Sequence, residues 1–183
     1  MTKVNLSKYQ NKLSKLNQIK RLIWSISWFL LVKPLPRSLC NRWKIFLLRL
    51  FGAKINSKAV IYSTVKIYAP WNLEMKEFSC LAPEVDCYNV DKIIIGAHST
   101  VSQKSYLCSA SHDVTKSSNP LITAPIIIKD QVWIGADVFL GMGVTIEQGA
   151  VVGARSSVYK NIAPWTIVGG NPAKLIKKRE VIE

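Results

Sequence analysis

From Ile128 an aliphatic residue returns at every sixth position, through Ile134, Leu140, Ile146 and Val152 to Val158. A helix repeats its apolar positions about every 3.6 residues and a half-buried strand every two, whereas six is one short strand plus one turn, the repeat of a parallel β-helix. A companion set lies four residues after each of these positions: Val132, Val138, Val144, Ala150 and Ser156 are small or β-branched, so both sets can point into a narrow prism. The register extends upstream through Ile55, Ile61, Ile67, Met75, Leu81, Cys87, Ile95, Val101 and Leu107. Its steps are six except for two steps of eight, Ile67 to Met75 and Cys87 to Ile95, each read as a two-residue bulge at a corner. At three rungs per coil, these positions amount to about five coils. Trp71 and Asp91 stand where small inward residues belong, and such local exceptions mark candidate functional positions.

The register stops between Leu107 and Ile128. The intervening CSASHDVTKSSNPLITAP is rich in Ser, Asn and Pro, which predicts an ejected loop over 108–125 rather than more strand. Upstream of the prism the period changes: Leu6, Tyr9, Leu13, Leu16, Ile19, Ile23, Ile26 and Leu30 fall at helical spacings of three and four. Leu22 to Val32 is a nearly continuous apolar run with Trp24 and Trp28, about half the roughly 20 residues needed to span a bilayer. It starts late and is followed by Lys33, Pro34 and Pro36 instead of a small-residue cleavage site, so it does not fit a cleaved signal peptide. Ser38 can cap a second helix whose apolar face is Leu39, Trp43, Phe46, Leu47 and Leu50, ended by Gly52. The expected organisation is a helical hairpin over 1–54 covering one end of a mainly β prism over 55–163, then a turn and basic tail over 164–183 folded back along a side.

Charge changes the reading of the hairpin. Formal net charge is +14, and the first acidic residue is Glu74, after fourteen lysines and arginines. Two readings stay open: the helices pack on the prism or on a neighbouring subunit with their lysines in water, or they bind the anionic inner surface of a membrane. There each basic residue contributes about 1 kcal/mol, and Trp settles at headgroup level. No nucleic-acid motif accompanies the charge. Cys40, Cys80, Cys87 and Cys108 form no CxxC pair and read as reduced thiols of a cytosolic protein. With only His98 and His112 in the chain, no metal site of three histidines can form within it, and none is expected.

The IGADV of Ile134 to Val138, the looser VGARS and IGAHS, and the closing VGGNPAK of Val168 to Lys174 resemble the left-handed β-helix hexapeptide acyltransferases. With SASHD, YNVD and the basic helical N-terminus, the chain is most similar to acetyltransferases of colanic acid and other exopolysaccharides. The resemblance implies left-handed coils, acetyl-CoA as cosubstrate and a homotrimer with sites between subunits. It also implies His112 as the base that takes a sugar hydroxyl's proton, and the Ala136 N–H as donor to the tetrahedral oxyanion. Coenzyme A would lie along Trp133, Gly135, Ala154, Tyr159, Lys160, Lys174 and Lys177, with Gly135 and Ala154 small enough to admit the pantetheine arm.

Each assignment has a plainer alternative. His112 could cap a loop turn, although an imidazole suits general-base chemistry near neutral pH. Asp113 could orient that ring or make a local Asx turn. Asn89 and Asp91 could bind acceptor hydroxyls or serve the corner at the eight-residue bulge. Trp133 could fill the trimer seam, and His98 reads as surface structure. The favoured function is acetyl-CoA-dependent O-acetylation of a saccharide hydroxyl in exopolysaccharide or capsule assembly, on a free or lipid-linked acceptor. The alternatives are N-acetylation of an aminosugar nucleotide and a non-catalytic hexapeptide scaffold.

Overall fold

The computed structural model describes residues 3–10, 13–35 and 40–182. Two- to four-residue strands stack in parallel into the three faces of a prism. The first face runs Lys54–Ile55, Leu73–Met75, Ile93–Ile95, Ile126–Ile128, Thr145–Ile146. The second runs Val60–Ile61, Cys80–Leu81, Thr100–Val101, Trp133–Ile134, Val151–Val152, Thr166–Gly169, and the third Lys66–Ile67, Asp86–Tyr88, Tyr106–Cys108, Phe139–Leu140, Ser157–Val158. Residues one coil apart are register partners, so the six-residue pattern becomes inward ladders. Ile55, Met75, Ile95, Ile128 and Ile146 form one; Ile61, Leu81, Val101, Ile134, Val152 and Val168 form another.

Corners carry a second regularity. Phe78, His98, Gln131, Asp137 and Arg155, each just before a small inward residue, adopt positive φ. That conformation normally favours glycine. Here the residue's N–H is aimed at a corner carbonyl of an adjacent coil: His98 N–H donates to Glu77 O (3.0 Å), Gln131 N–H to Ala97 O (2.8 Å) and Arg155 N–H to Ala136 O (2.8 Å). His98 is thus a corner residue, stacked on Phe78 with ring centroids 4.9 Å apart.

The prism continues past 163. Ile162 bridges to Ile146, Thr166–Gly169 adds a strand to the second face, and Lys174–Lys178 pairs antiparallel on it, so the expected turn and tail are structured. The interruption also differs from the expected plain loop: Ala110–His112 and Leu121–Thr123 form an antiparallel hairpin. Three-residue strands are too short to leave a pattern in sequence, yet their pairing satisfies backbone groups outside the prism.

Helix α1 spans Lys15–Leu31, with Ser14 Oγ accepting the Asn17 N–H (3.2 Å) as N-cap, and α2 spans Asn41–Leu50. Ser38 lies outside the described residues, and Cys40, at positive φ, stands at the N-cap of α2 without a side-chain cap bond. Both helices cover the open end of the first coil. The Trp24 indole N–H donates to Ile67 O (2.7 Å) and that of Trp28 to Val65 O (3.2 Å). The Asn41 amide donates to Ala59 O (2.7 Å) and accepts from Ile61 N–H (3.1 Å). These bonds supply backbone groups that have no coil below them. On α2 the buried side chains are Lys44, Ile45, Leu47 and Leu48. Of the apolar face expected for α2, Trp43, Phe46 and Leu50 are exposed.

Candidate active site

The ejected hairpin leaves the prism at the edge between the third and first faces and carries His112 into solvent. The His112 Nδ1 lies 2.7 Å from Asn119 O. A carbonyl only accepts, so Nδ1 carries the hydrogen, and in that tautomer Nε2 is the nitrogen left with a lone pair, as a general base requires. Asn119, at positive φ, was not marked by sequence, because a main-chain carbonyl leaves no residue signature. Asp113 does not orient the ring: its Oδ1 accepts from Thr115 N–H (3.1 Å) and Thr115 Oγ1–H (2.5 Å), a local Asx turn, and Lys116 pairs with it at 3.4 Å. The Thr115 bonds, with Lys116, hold its carboxyl below the usual Asp value.

Asn89 lies one coil earlier, at the same edge. Its side chain is fully buried; Oδ1 accepts Ala69 N–H (2.9 Å), and the amide NH2 donates to Ala69 O. Its hydrogen-bonding groups face the adjacent corner and support the bulge. Asp91 is half-buried, with Oδ1 accepting the Lys92 N–H (2.7 Å). Ser109 ties this corner to the hairpin: its Oγ accepts Asp91 N–H (2.9 Å) and donates to Tyr88 O (3.0 Å).

Gly135, Ala136 and Ala154 lie on the edge between the second and third faces, and Trp133 is on the second face with its indole N–H donating to Ser102 Oγ (3.0 Å). A Cβ on Gly135 would meet Ala154 N at 2.7 Å and Val152 O at 2.8 Å, so its size lets the next coil approach. The Ala136 N–H has no hydrogen-bond acceptor among the described residues, while its carbonyl accepts from Arg155. Tyr159, Lys160 and Lys174 line a cavity of about 430 Å³ at the C-terminal end, and Lys177 is exposed on the same terminal strand as Lys174.

Two features went unmarked in sequence. Tyr68, Tyr88, Tyr106, Phe139 and Tyr159 form a stripe along the outside of the third face, with neighbouring ring centroids 4.8–6.4 Å apart. Burial raises the Tyr88 and Tyr106 phenols above their ordinary pKa, so both remain protonated near neutral pH. Tyr9, expected on a helix face, lies on an N-terminal arm; its ring is 6.0 Å from that of His112, and Asn5 N–H donates to Ser117 O (2.8 Å). The stripe was legible only as scattered aromatics, since its spacing of about one coil appears after the fold is known.

Within one chain, His112 and Ala136 occupy the two edges that flank the third face, so the chain by itself does not bring the two together. Among the described residues, no cluster of three His, Cys, Asp or Glu is placed to hold a metal ion. No protein-family model matches the sequence. The repeat, the prism and its relatives nevertheless define the class, and the chain belongs to the hexapeptide-repeat acetyltransferases. It is 47% identical over 138 residues, 75% of this chain and 76% of the relative, to Escherichia coli K12 WcaF, named as a colanic acid biosynthesis acetyltransferase. Among solved structures, a Vibrio cholerae hexapeptide-repeat acetyltransferase complexed with acetyl-CoA matches with TM-score 0.81 and 26% identity, covering 93% of both chains. A maltose O-acetyltransferase of Clostridium difficile matches with TM-score 0.80 and 26% identity, covering 92% of this chain and 90% of that one.

Proposed function

We propose that the protein transfers an acetyl group from acetyl-CoA to a saccharide hydroxyl during exopolysaccharide assembly, with His112 as general base. The observation that carries this reading is the held imidazole: Nδ1–H donates to Asn119 O at 2.7 Å, on an exposed histidine whose Nε2 is left with the lone pair. The acceptor hydroxyl gives its proton to Nε2 as its oxygen attacks the thioester carbon. The free Ala136 N–H donates a hydrogen bond to the developing oxyanion, and collapse releases coenzyme A as a thiolate that takes the proton back from the imidazolium. Lys160, Lys174 and Lys177 supply positive charge for coenzyme A phosphates, beside Tyr159. The separation of His112 from Ala136 favours a cyclic homotrimer, in which one chain's hairpin meets its neighbour's Ala136 edge. The names of the relatives support a sugar acceptor.

Replacing His112 with Ala and following thiol release from acetyl-CoA over a panel of saccharides tests the base. The expected loss is about 10²-fold or more; undiminished turnover would remove His112 from the role. Mass spectrometry of the product before and after mild alkali assigns the acceptor atom: an ester is cleaved, whereas an alkali-stable amide would place the acetyl group on an amine.

A further inference from the structure

Helix α1 is apolar on two opposite sides. One side holds Trp24 and Trp28 against the first coil. The other presents Ile19, Leu22, Ile26, Phe29 and Leu30, each 51–62% exposed. Trp43 and Phe46 of α2 stack on each other and extend this surface, joined to the end of α1 by the bond from the Trp43 indole N–H to Leu31 O (3.0 Å). A helix apolar all round is buried on both sides, and a contiguous apolar patch of this kind marks an interaction surface.

We infer that this face docks on the surface of an anionic lipid bilayer. Charge decides the occupant. Exposed Lys15, Lys20, Lys33 and Arg42 flank the apolar side chains, and no acidic residue precedes Glu74 anywhere in the chain. A second copy laid face to face would bring like charges together, whereas anionic headgroups neutralise them. Geometry sets the mode of binding. The 17 residues of α1 are about 25 Å long, shorter than the roughly 30 Å hydrocarbon core, and no described helix is long and apolar enough to cross a membrane. The helix therefore lies in the interface, its outer side chains among the headgroups and upper acyl chains. Trp24 and Trp28 take no part, because their indoles are committed to the prism. This inference does not rest on acetyl transfer.

Co-sedimentation of the full-length protein with vesicles, without acetyl-CoA, tests it. Binding to phosphatidylcholine containing phosphatidylglycerol is expected to exceed binding to phosphatidylcholine alone by about tenfold or more, and to weaken in high salt. The triple variant Leu22→Gln, Ile26→Gln, Phe29→Gln is expected to lose about tenfold in binding while keeping its activity on a soluble acceptor. The charge variant Lys15→Glu, Lys20→Glu, Lys33→Glu, which leaves the apolar packing intact, is expected to lose binding likewise. Absence of wild-type binding, or equal binding to neutral and anionic vesicles, overturns the inference. So does a doubling of the assembly's mass that the triple variant abolishes, since a second copy would then cover the face.

Discussion

A fully buried amide must find partners where it lies, and Asn89 finds both on Ala69. Replacing it with Ala leaves the Ala69 N–H and carbonyl without these bonds, at a cost of about 1–3 kcal/mol. A thermal melt of Asn89→Ala should fall by several degrees with an unchanged KM for the acceptor. An unchanged melt with a raised KM would return Asn89 to the acceptor site. The same residue marks a boundary of what sequence discloses: YNVD at an eight-residue step announced an unusual corner, and only the burial of the side chain distinguished support from recognition. His112 stood out as a candidate from its place in the interrupted register and from the family resemblance. The Asn119 carbonyl that fixes its tautomer was not legible, and neither were the corners at positive φ, because inter-coil hydrogen bonds let His98, Gln131 and Arg155 occupy positions where a reader looks for glycine.

At the scale of elements, the six-residue period carried the ladders and their register through both eight-residue steps, since each inward position is fixed by the one a coil away. The period could not disclose the hairpin over 110–123, the antiparallel strand Lys174–Lys178 or the arm, whose partners are single neighbours instead of a repeating stack. Helical spacing in α1 was equally plain, but spacing does not say what an apolar face meets: the tryptophans took the prism, and the aliphatic stripe faces out. The arm has a consequence for the reaction. A ring contact of the Tyr9–His112 kind is worth about 0.5–1.5 kcal/mol. Tyr9→Ala is therefore expected to lower kcat/KM for the acceptor by about two- to tenfold, leaving KM for acetyl-CoA unchanged. Steady-state kinetics with each substrate varied in turn check this, and unaltered acceptor kinetics would exclude the arm from the site.

For the whole molecule, the prism is a ruler that sets the height of each functional group, while its three faces set the direction in which each points. His112 and Ala136 have comparable heights and different edges. On the proposed mechanism the reaction needs a second chain, which a cyclic trimer would supply. The helical layer sits at one end of the same prism, away from the cavity at the C-terminal end, so membrane docking would leave that cavity free. Whether base and oxyanion donor come from different chains can be measured with two inactive subunits. His112→Ala removes the base; Ala136→Pro removes the N–H while keeping the carbonyl that Arg155 uses, and is expected to lower kcat by about 10²–10³. The two variants would be co-expressed with different tags, and total trimer assayed for thiol release. Random cyclic assembly of equal amounts should restore about one quarter of wild-type activity, because each mixed trimer contains one site with both groups intact. Activity no higher than the mean of the two parents would contradict a site shared between chains.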